Sequence, residues 1–315
     1  MNIILDCDPG HDDAIAILLL GSKKYFNVLG ITTTSGNQTI EKTTKNALNV
    51  INFLGLNYKV YKGASKPLKR DAVICEEIHG ETGLDGFNFP KHNLAPEKID
   101  AQSFMVKAIK ESPEKVTVVT TGPMTNLALA ILKDKSIVNN IEKIVLMGGS
   151  IGAGNVTPAA EFNINCDAEA ADICFKSGAP IYMVGLDVTR QVLVTKDIVN
   201  RMSRINTKAS DMFVALMKFF NKTQKRVFNL DGGPLHDPVT IASLIDPTLV
   251  HFEFVNTEID TYPSISYGRT NCDIPGYLKK EKNSFVATSI NVDRFFDIIE
   301  EALKSYKQEC RWWYE

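Results

Sequence analysis

The sequence predicts an α/β fold, a single domain over residues 1–315 with an open, mostly parallel central sheet flanked by helices. Three observations carry that expectation. Short apolar runs alternate with segments of helical spacing through roughly the first 190 residues, and such alternation implies parallel strands joined by crossover helices. The runs are apolar at nearly every position, as strands covered on both faces are. No linker, repeat or low-complexity tract divides the chain.

Taken in order, strands are expected at 3–5, 28–33, 116–120, 144–147 and 181–186. Helices are expected between them at 42–54, 102–109, 125–132 and 168–175, with Thr125-Asn126 and Asp167 placed as N-terminal residues. Beyond about residue 190 the pattern shifts to longer helices at 196–204 and 210–225, then another at 237–244. This C-terminal third is expected to supply a helical lid over the active site. Strands at 250–260 and 285–291 follow, and an amphipathic helix at 293–306 closes the pattern. The last residues, Arg311-Trp312-Trp313-Tyr314-Glu315, form either a docked tail or a partner contact.

Composition narrows the partners. The chain is 44% hydrophobic and 23% charged, with a net charge of -2, which argues against nucleic acid or a membrane surface. No apolar stretch approaches the roughly 20 residues that span a bilayer. Six scattered cysteines (Cys7, Cys75, Cys166, Cys174, Cys272, Cys310) contain no CxxC pair and predict free thiols in a reducing compartment. With no basic, apolar leader at the N-terminus, a cytoplasmic location is expected.

The chemistry is expected where four aspartates crowd into Asp6-Cys7-Asp8-Pro9-Gly10-His11-Asp12-Asp13. Such a cluster repels itself unless a cation or donors neutralise it. An EF-hand is excluded, because its Gly and Glu positions are occupied here by His11 and Ile17. Helix capping accounts for Asp12 or Asp13 but not for Asp6 and Asp8, which an alternating strand points the same way. A hard-cation site is the expectation. Other polar groups fall at strand ends, where open parallel sheets bind ligands: Gly36-Asn37-Gln38-Thr39, Thr120-Thr121-Gly122-Pro123 and Met147-Gly148-Gly149. Each alone is equally explained as turn chemistry. Asn155 follows, and Glu161 and Asn163 share one side if extended, so that with Asn37 they suit sugar hydroxyls. In His236-Asp237-Pro238 the aspartate is either an N-cap or a metal carboxylate, and the histidine a general acid. His79, expected on a loop, is either a surface histidine or a substrate contact. No phosphate-binding glycine motif is present.

The run Leu5-Asp6-Cys7-Asp8-Pro9-Gly10-His11-Asp12-Asp13-Ala14 resembles the signature of the inosine-uridine type nucleoside hydrolases. So do Gly36-Asn37-Gln38-Thr39, His79-Gly80-Glu81-Thr82-Gly83, Val145-Leu146-Met147-Gly148-Gly149, Ala160-Glu161-Phe162-Asn163-Ile164 and His236-Asp237-Pro238, in order and at similar spacing. The resemblance extends to Gly268-Arg269-Thr270. It implies a calcium ion (Ca2+) held by Asp8, Asp13, Asp237 and the carbonyl of Thr121, with Asp8 as the base that activates the attacking water. It further implies that Asp12, Asn37, Asn155, Glu161 and Asn163 grip the ribose, that Met147 packs under it, and that His236 protonates or polarises the leaving base. The substrate would be a small ribonucleoside, and the assembly a homo-oligomer, tetramer or dimer. Phe219, Phe220, Thr223, Gln224 and Phe228 would line the base pocket, although core aromatics at helical spacing give the same pattern. Gln224 matches the pyrimidine-preferring branch, which favours uridine and cytidine over a broad inosine–uridine preference. Phe228 stands where that branch often carries Tyr.

Two other classes remain as rivals. A phosphatase would use Asp6 and Asp8 beside magnesium, but its signature does not continue as Pro9-Gly10-x-Asp12-Asp13. A nucleoside-binding sensor would lack the base and acid that Asp8 and His236 represent.

Overall fold

The computed structural model describes residues 1–306, so the aromatic tail lies outside the described residues. Six parallel strands build most of the central sheet: β1 (Asn2–Cys7), β2 (Asn27–Thr33), β3 (Val60–Lys62), β4 (Val116–Thr120), β5 (Ile141–Met147) and β6 (Ile181–Val184). Ser284–Ile290 adds a parallel strand beside β6, and Val250–Val255 closes that edge antiparallel to it. The order β3-β2-β1-β4-β5-β6 reverses direction at β1, so a crevice opens beyond the carboxyl ends of β1 and β4. Asp6 is level with Thr32 on one side and Thr120 on the other. The loops leaving these three strands therefore start at one height and meet over one spot.

Helix α1 (His11–Ser22) leaves β1 at once and is buried from His11 to Leu20. Its apolar run Ala14–Leu20 has no polar face, because the sheet lies on one side and helices Pro238–Ile245 and Val292–Ser305 on the other. Burial on all sides holds the N-terminus of α1, and with it Asp12 and Asp13, in a fixed place. The long helix Lys208–Phe228 starts at a capping box, where Ser210 N donates to Thr207 Oγ1 and Thr207 N to Ser210 Oγ. It ends over the crevice. Asp167 caps the helix Ala168–Phe175 by accepting from Ala170 N, as its position in the sequence predicts.

Three expectations need correction. The strand at 250–260 is two, because the chain leaves the main sheet at Asn256, and Thr257–Ile259 pairs instead with Thr270–Cys272. Glu161 and Asn163 are not extended: Glu161 caps a short helix, Phe162–Cys166, by accepting from Ile164 N. His79 ends a one-turn helix, Glu76–His79, and is buried, not a surface histidine. No described helix is long and apolar enough to cross a membrane.

Candidate active site

Asp8 lies just past β1 with its carboxylate in a cradle of backbone. Asn37 N donates to its Oδ2 at 2.6 Å, and its Oδ1 is buried without a hydrogen-bond partner. Gly36 and Gly122 flank it so closely that a Cβ on either would strike the carboxylate. That is why glycine stands at both strand-end turns. Asn37 also spans to the next acid, its Nδ2 donating to Asp13 Oδ2 at 3.1 Å and to Asp8 O at 3.2 Å. Asp13 Oδ2 further accepts from Gly10 N, and its Oδ1 accepts from Thr121 Oγ1 at 2.7 Å.

Asp237 comes from the far end of the chain. It occupies the N-cap position before Pro238, yet its side chain makes no capping bond. The carboxylate turns instead to α1, where Asp12, Asp13 and Asp237 each place an oxygen within 4.8 Å of the others. Two unit charges at that spacing repel by roughly 3 kcal/mol at an effective dielectric of about 20. Three such pairs approach the net stability of a typical domain, about 5–15 kcal/mol. Burial and this mutual repulsion push all the acids upward: Asp8 and Asp237 well above the usual carboxylate range, Asp12 to about 7, and Asp13 in the same direction. The buried, all-oxygen donor set and the orphaned Asp8 Oδ1 fit a hard cation. The tight group contains Asp12, which the sequence assigned to ribose, and leaves Asp8 one hydrogen-bonded step away through Asn37.

Asp6 does not join them. Its Oδ1 accepts from Thr32 Oγ1 at 2.6 Å and Asn126 Nδ2 at 2.8 Å, which ties β1 to β2 and to the helix Thr125–Lys133. Asp6 Oδ2 is buried without a partner, as Asp8 Oδ1 is, but neither carboxylate belongs to the tight acidic group, and the hydrogen bonds of Asp6 tie it to the sheet and a neighbouring helix. Past Cys7 the strand has ended, and the period of two no longer applies.

A cavity of about 340 Å³ opens above the acids. Its lining includes Asp12, Asn37, His79, Thr121, Met147, Asn155, Glu161, Asn163, Gln224, Phe228, His236 and Asp237. Glu161 Oε2 accepts from Gly149 N and Ile164 N, and burial pushes its carboxyl up to about 7. Asn163 Nδ2 donates to Thr121 O at 2.8 Å and Met147 O at 3.1 Å, so it holds the ends of β4 and β5 together. Asn155 Oδ1 accepts from Phe162 N, which leaves its amide nitrogen toward the cavity. His79 Nδ1 accepts from His11 N at 3.2 Å, so a neutral His79 carries its proton on Nε2. Burial, aided by His11 and His236 nearby, keeps it neutral.

Of the five aromatic and polar residues expected on the long helix, Phe220, Gln224 and Phe228 line the cavity at a spacing of four. Phe219 stacks on His11 instead, and Thr223 spends its hydroxyl on Ile78 O and Phe220 O. Sequence reasoning also missed the segment 187–190. Asp187 accepts from Ile151 N and Gly152 N, and Arg190 donates to Ala153 O and Gly154 O, so together they pin the Asn155 loop. No local pattern marks these residues, and only the fold brings them to the site.

Comparison with known proteins identifies the chain as an N-glycosidase. The chain belongs to the inosine-uridine preferring nucleoside hydrolase family, whose model matches residues 3–297. It is 42% identical over 304 residues to the pyrimidine-specific ribonucleoside hydrolase RihB of Escherichia coli, covering 96% of this chain and 97% of that one. Among solved structures, it superposes on a purine-preferring ribonucleoside hydrolase from Gardnerella vaginalis with a TM-score of 0.91, at 35% identity and 97% and 99% coverage. A plant nucleoside hydrolase superposes with a TM-score of 0.90, at 30% identity and 96% and 98% coverage.

Proposed function

We propose that this enzyme cleaves uridine and cytidine to free base and ribose, with calcium held by Asp8, Asp13, Asp237 and the Thr121 carbonyl. Asp12 is a further ligand candidate, from its place in the tight acidic group. The observation that carries the reading is the convergence of two helix N-termini on one buried acidic group beneath the cavity. When bound, the cation lowers the pKa of a water it holds and fixes the ribose diol.

The chain's own residues supply the rest. Asp8 Oδ1, which has no protein partner, takes the proton of the attacking water as its oxygen bonds to C1′. Positive charge growing on the ribose ring is stabilised by the surrounding carboxylates, Glu161 among them. The C1′–N bond breaks with its electron pair going to the base. His236 is held neutral, pushed down to about 3 by burial and by Arg190, so it serves as a hydrogen-bond donor to the departing base. The base then takes its proton from water. For His236→Ala we expect kcat on uridine to fall by roughly 10²–10⁴-fold. The fall on p-nitrophenyl riboside, whose leaving group needs no such help, should be far smaller. Equal losses on the two substrates would remove His236 from leaving-group assistance.

Gln224 supports the pyrimidine preference. Its side chain is buried, faces the cavity and forms no hydrogen bond with a described residue, so its amide is free to read a base edge. Phe228, 46% exposed at the cavity mouth, brings an aromatic face without a phenol. Gln224→Leu should lower kcat/KM for uridine and cytidine by about tenfold to a hundredfold, and for inosine much less. A panel of uridine, cytidine, inosine and adenosine with free ribose as the readout checks both the preference and the variant. A panel in which inosine matches uridine would favour the broad inosine–uridine reading. The five described cysteines are free, which supports a cytoplasmic setting. Exposed Tyr262, Ile265, Tyr277 and Leu278 support assembly into dimers or tetramers.

A further inference from the structure

His236 has two ring nitrogens, and only one faces the cavity usefully. Its Nδ1 lies 2.7 Å from Thr189 Oγ1, while Nε2 forms no hydrogen bond with a described residue and is left to the cavity. Thr189 is fully buried on the short helix Leu186–Thr189, and its hydroxyl has no other partner among the described residues. A hydroxyl carries one proton to give. If Nδ1 were the protonated nitrogen, the threonine would only accept, and its own O–H would be buried and unspent. Burying an unsatisfied donor is disfavoured, so the hydroxyl donates to Nδ1. A neutral imidazole whose Nδ1 accepts must hold its proton on Nε2.

We infer that Thr189 is a positioning residue for the known reaction: its hydroxyl locks His236 as the Nε2–H tautomer and aims that donor at the departing base. The inference rests on the role given to His236 above. Neighbouring residues serve the same geometry from the other side. Asp187 and Arg190, on either side of Thr189 in the chain, hold the loop that carries Asn155. One short segment thus sets both the sugar side and the base side of the cavity.

Thr189→Val removes the hydroxyl and keeps the shape, and Thr189→Ser keeps the hydroxyl. In Thr189→Val, kcat for uridine should fall roughly tenfold to a hundredfold with little change in KM, a partial loss of the roughly 10²–10⁴-fold that general-acid assistance contributes. Turnover of p-nitrophenyl riboside should stay near the parent's, and Thr189→Ser should restore the ratio of the two substrates. Equal losses on both substrates, or no loss on uridine, would overturn the inference. Two-bond nitrogen–proton NMR of the histidine rings tests it without any turnover, with the His236 signals assigned by their loss in His236→Ala. The parent should show a protonated Nε2 and a bare Nδ1, and Thr189→Val should shift toward a mixture of tautomers. A protonated Nδ1 in the parent, or an unchanged pattern in Thr189→Val, sinks the proposal even if ribose release proves to come from another group.

Discussion

Asp8→Asn is expected to lower kcat for uridine by at least about a thousandfold while the protein remains folded, the size of effect seen when a group central to charge and proton handling is lost. The substitution is chosen for its shape. Asparagine fills the same space between Gly36 and Gly122, and its carbonyl oxygen can still accept from Asn37 N. The backbone cradle therefore survives, and only the negative charge and the proton-accepting oxygen are lost. Alanine would instead leave the buried Asn37 N–H without a partner, a cost of about 1–3 kcal/mol that confuses stability with chemistry. Steady-state ribose release and a thermal melt on the same sample decide the matter. Turnover within tenfold of the parent would show that another group takes the water's proton. Asp12 is the first candidate to test, since it lines the cavity and belongs to the tight acidic group.

How far the sequence reached can be judged from particular elements. The buried strands were legible because both faces are covered, so their residues run apolar, as in Ile144–Met147 of β5. β3 was not, because Val60–Lys62 is three residues at the edge of the sheet and carries no period. The break at Asn256 was hidden because apolar residues alternate with polar ones on both sides of it, so one buried asparagine marks either a bulge or a change of sheet. At the site, the strand-end loops were legible as places, since a parallel sheet brings its carboxyl ends together. Their internal geometry was not. Glu161 caps, and Asn163 sits on, a helix of five residues, too short for a periodic signal. The different duties of Asp6 and Asp8, two residues apart, depend on where β1 stops. Thr189 and Arg190 act through contacts to distant residues, and nothing in Leu186-Asp187-Val188-Thr189-Arg190 announces them.

Stripped of divalent cations with EDTA, the protein should lose thermal stability as pH rises from about 5 to 8, and calcium should restore more of it at pH 8 than at pH 5. The direction follows from the acids. In the absence of a cation the folded carboxyls bind protons more tightly than the unfolded chain does, with Asp12 at about 7 against an ordinary 3.8, and Asp8 and Asp237 displaced further. A group whose folded pKa is raised stabilises the fold below its unfolded pKa, and that contribution is lost as pH climbs through the folded one. The window runs from near 4 upward past 7. A cation replaces those protons, so its binding strengthens with pH and releases protons as it occurs. Asp6 and Glu161 also rise to about 7 by burial, yet Asp6 bonds to Thr32 and Asn126 and Glu161 is not in the tight acidic group. The slope that survives in saturating calcium should belong to these two. Asp6→Asn should flatten that residue of the slope and leave the calcium-sensitive part in place. Melting curves across this range, with and without calcium, read both parts. A metal-free melting temperature that is flat or rises with pH would mean that the Asp12–Asp13–Asp237 group is already neutralised by the protein itself. No cation would then be needed to hold these acids together.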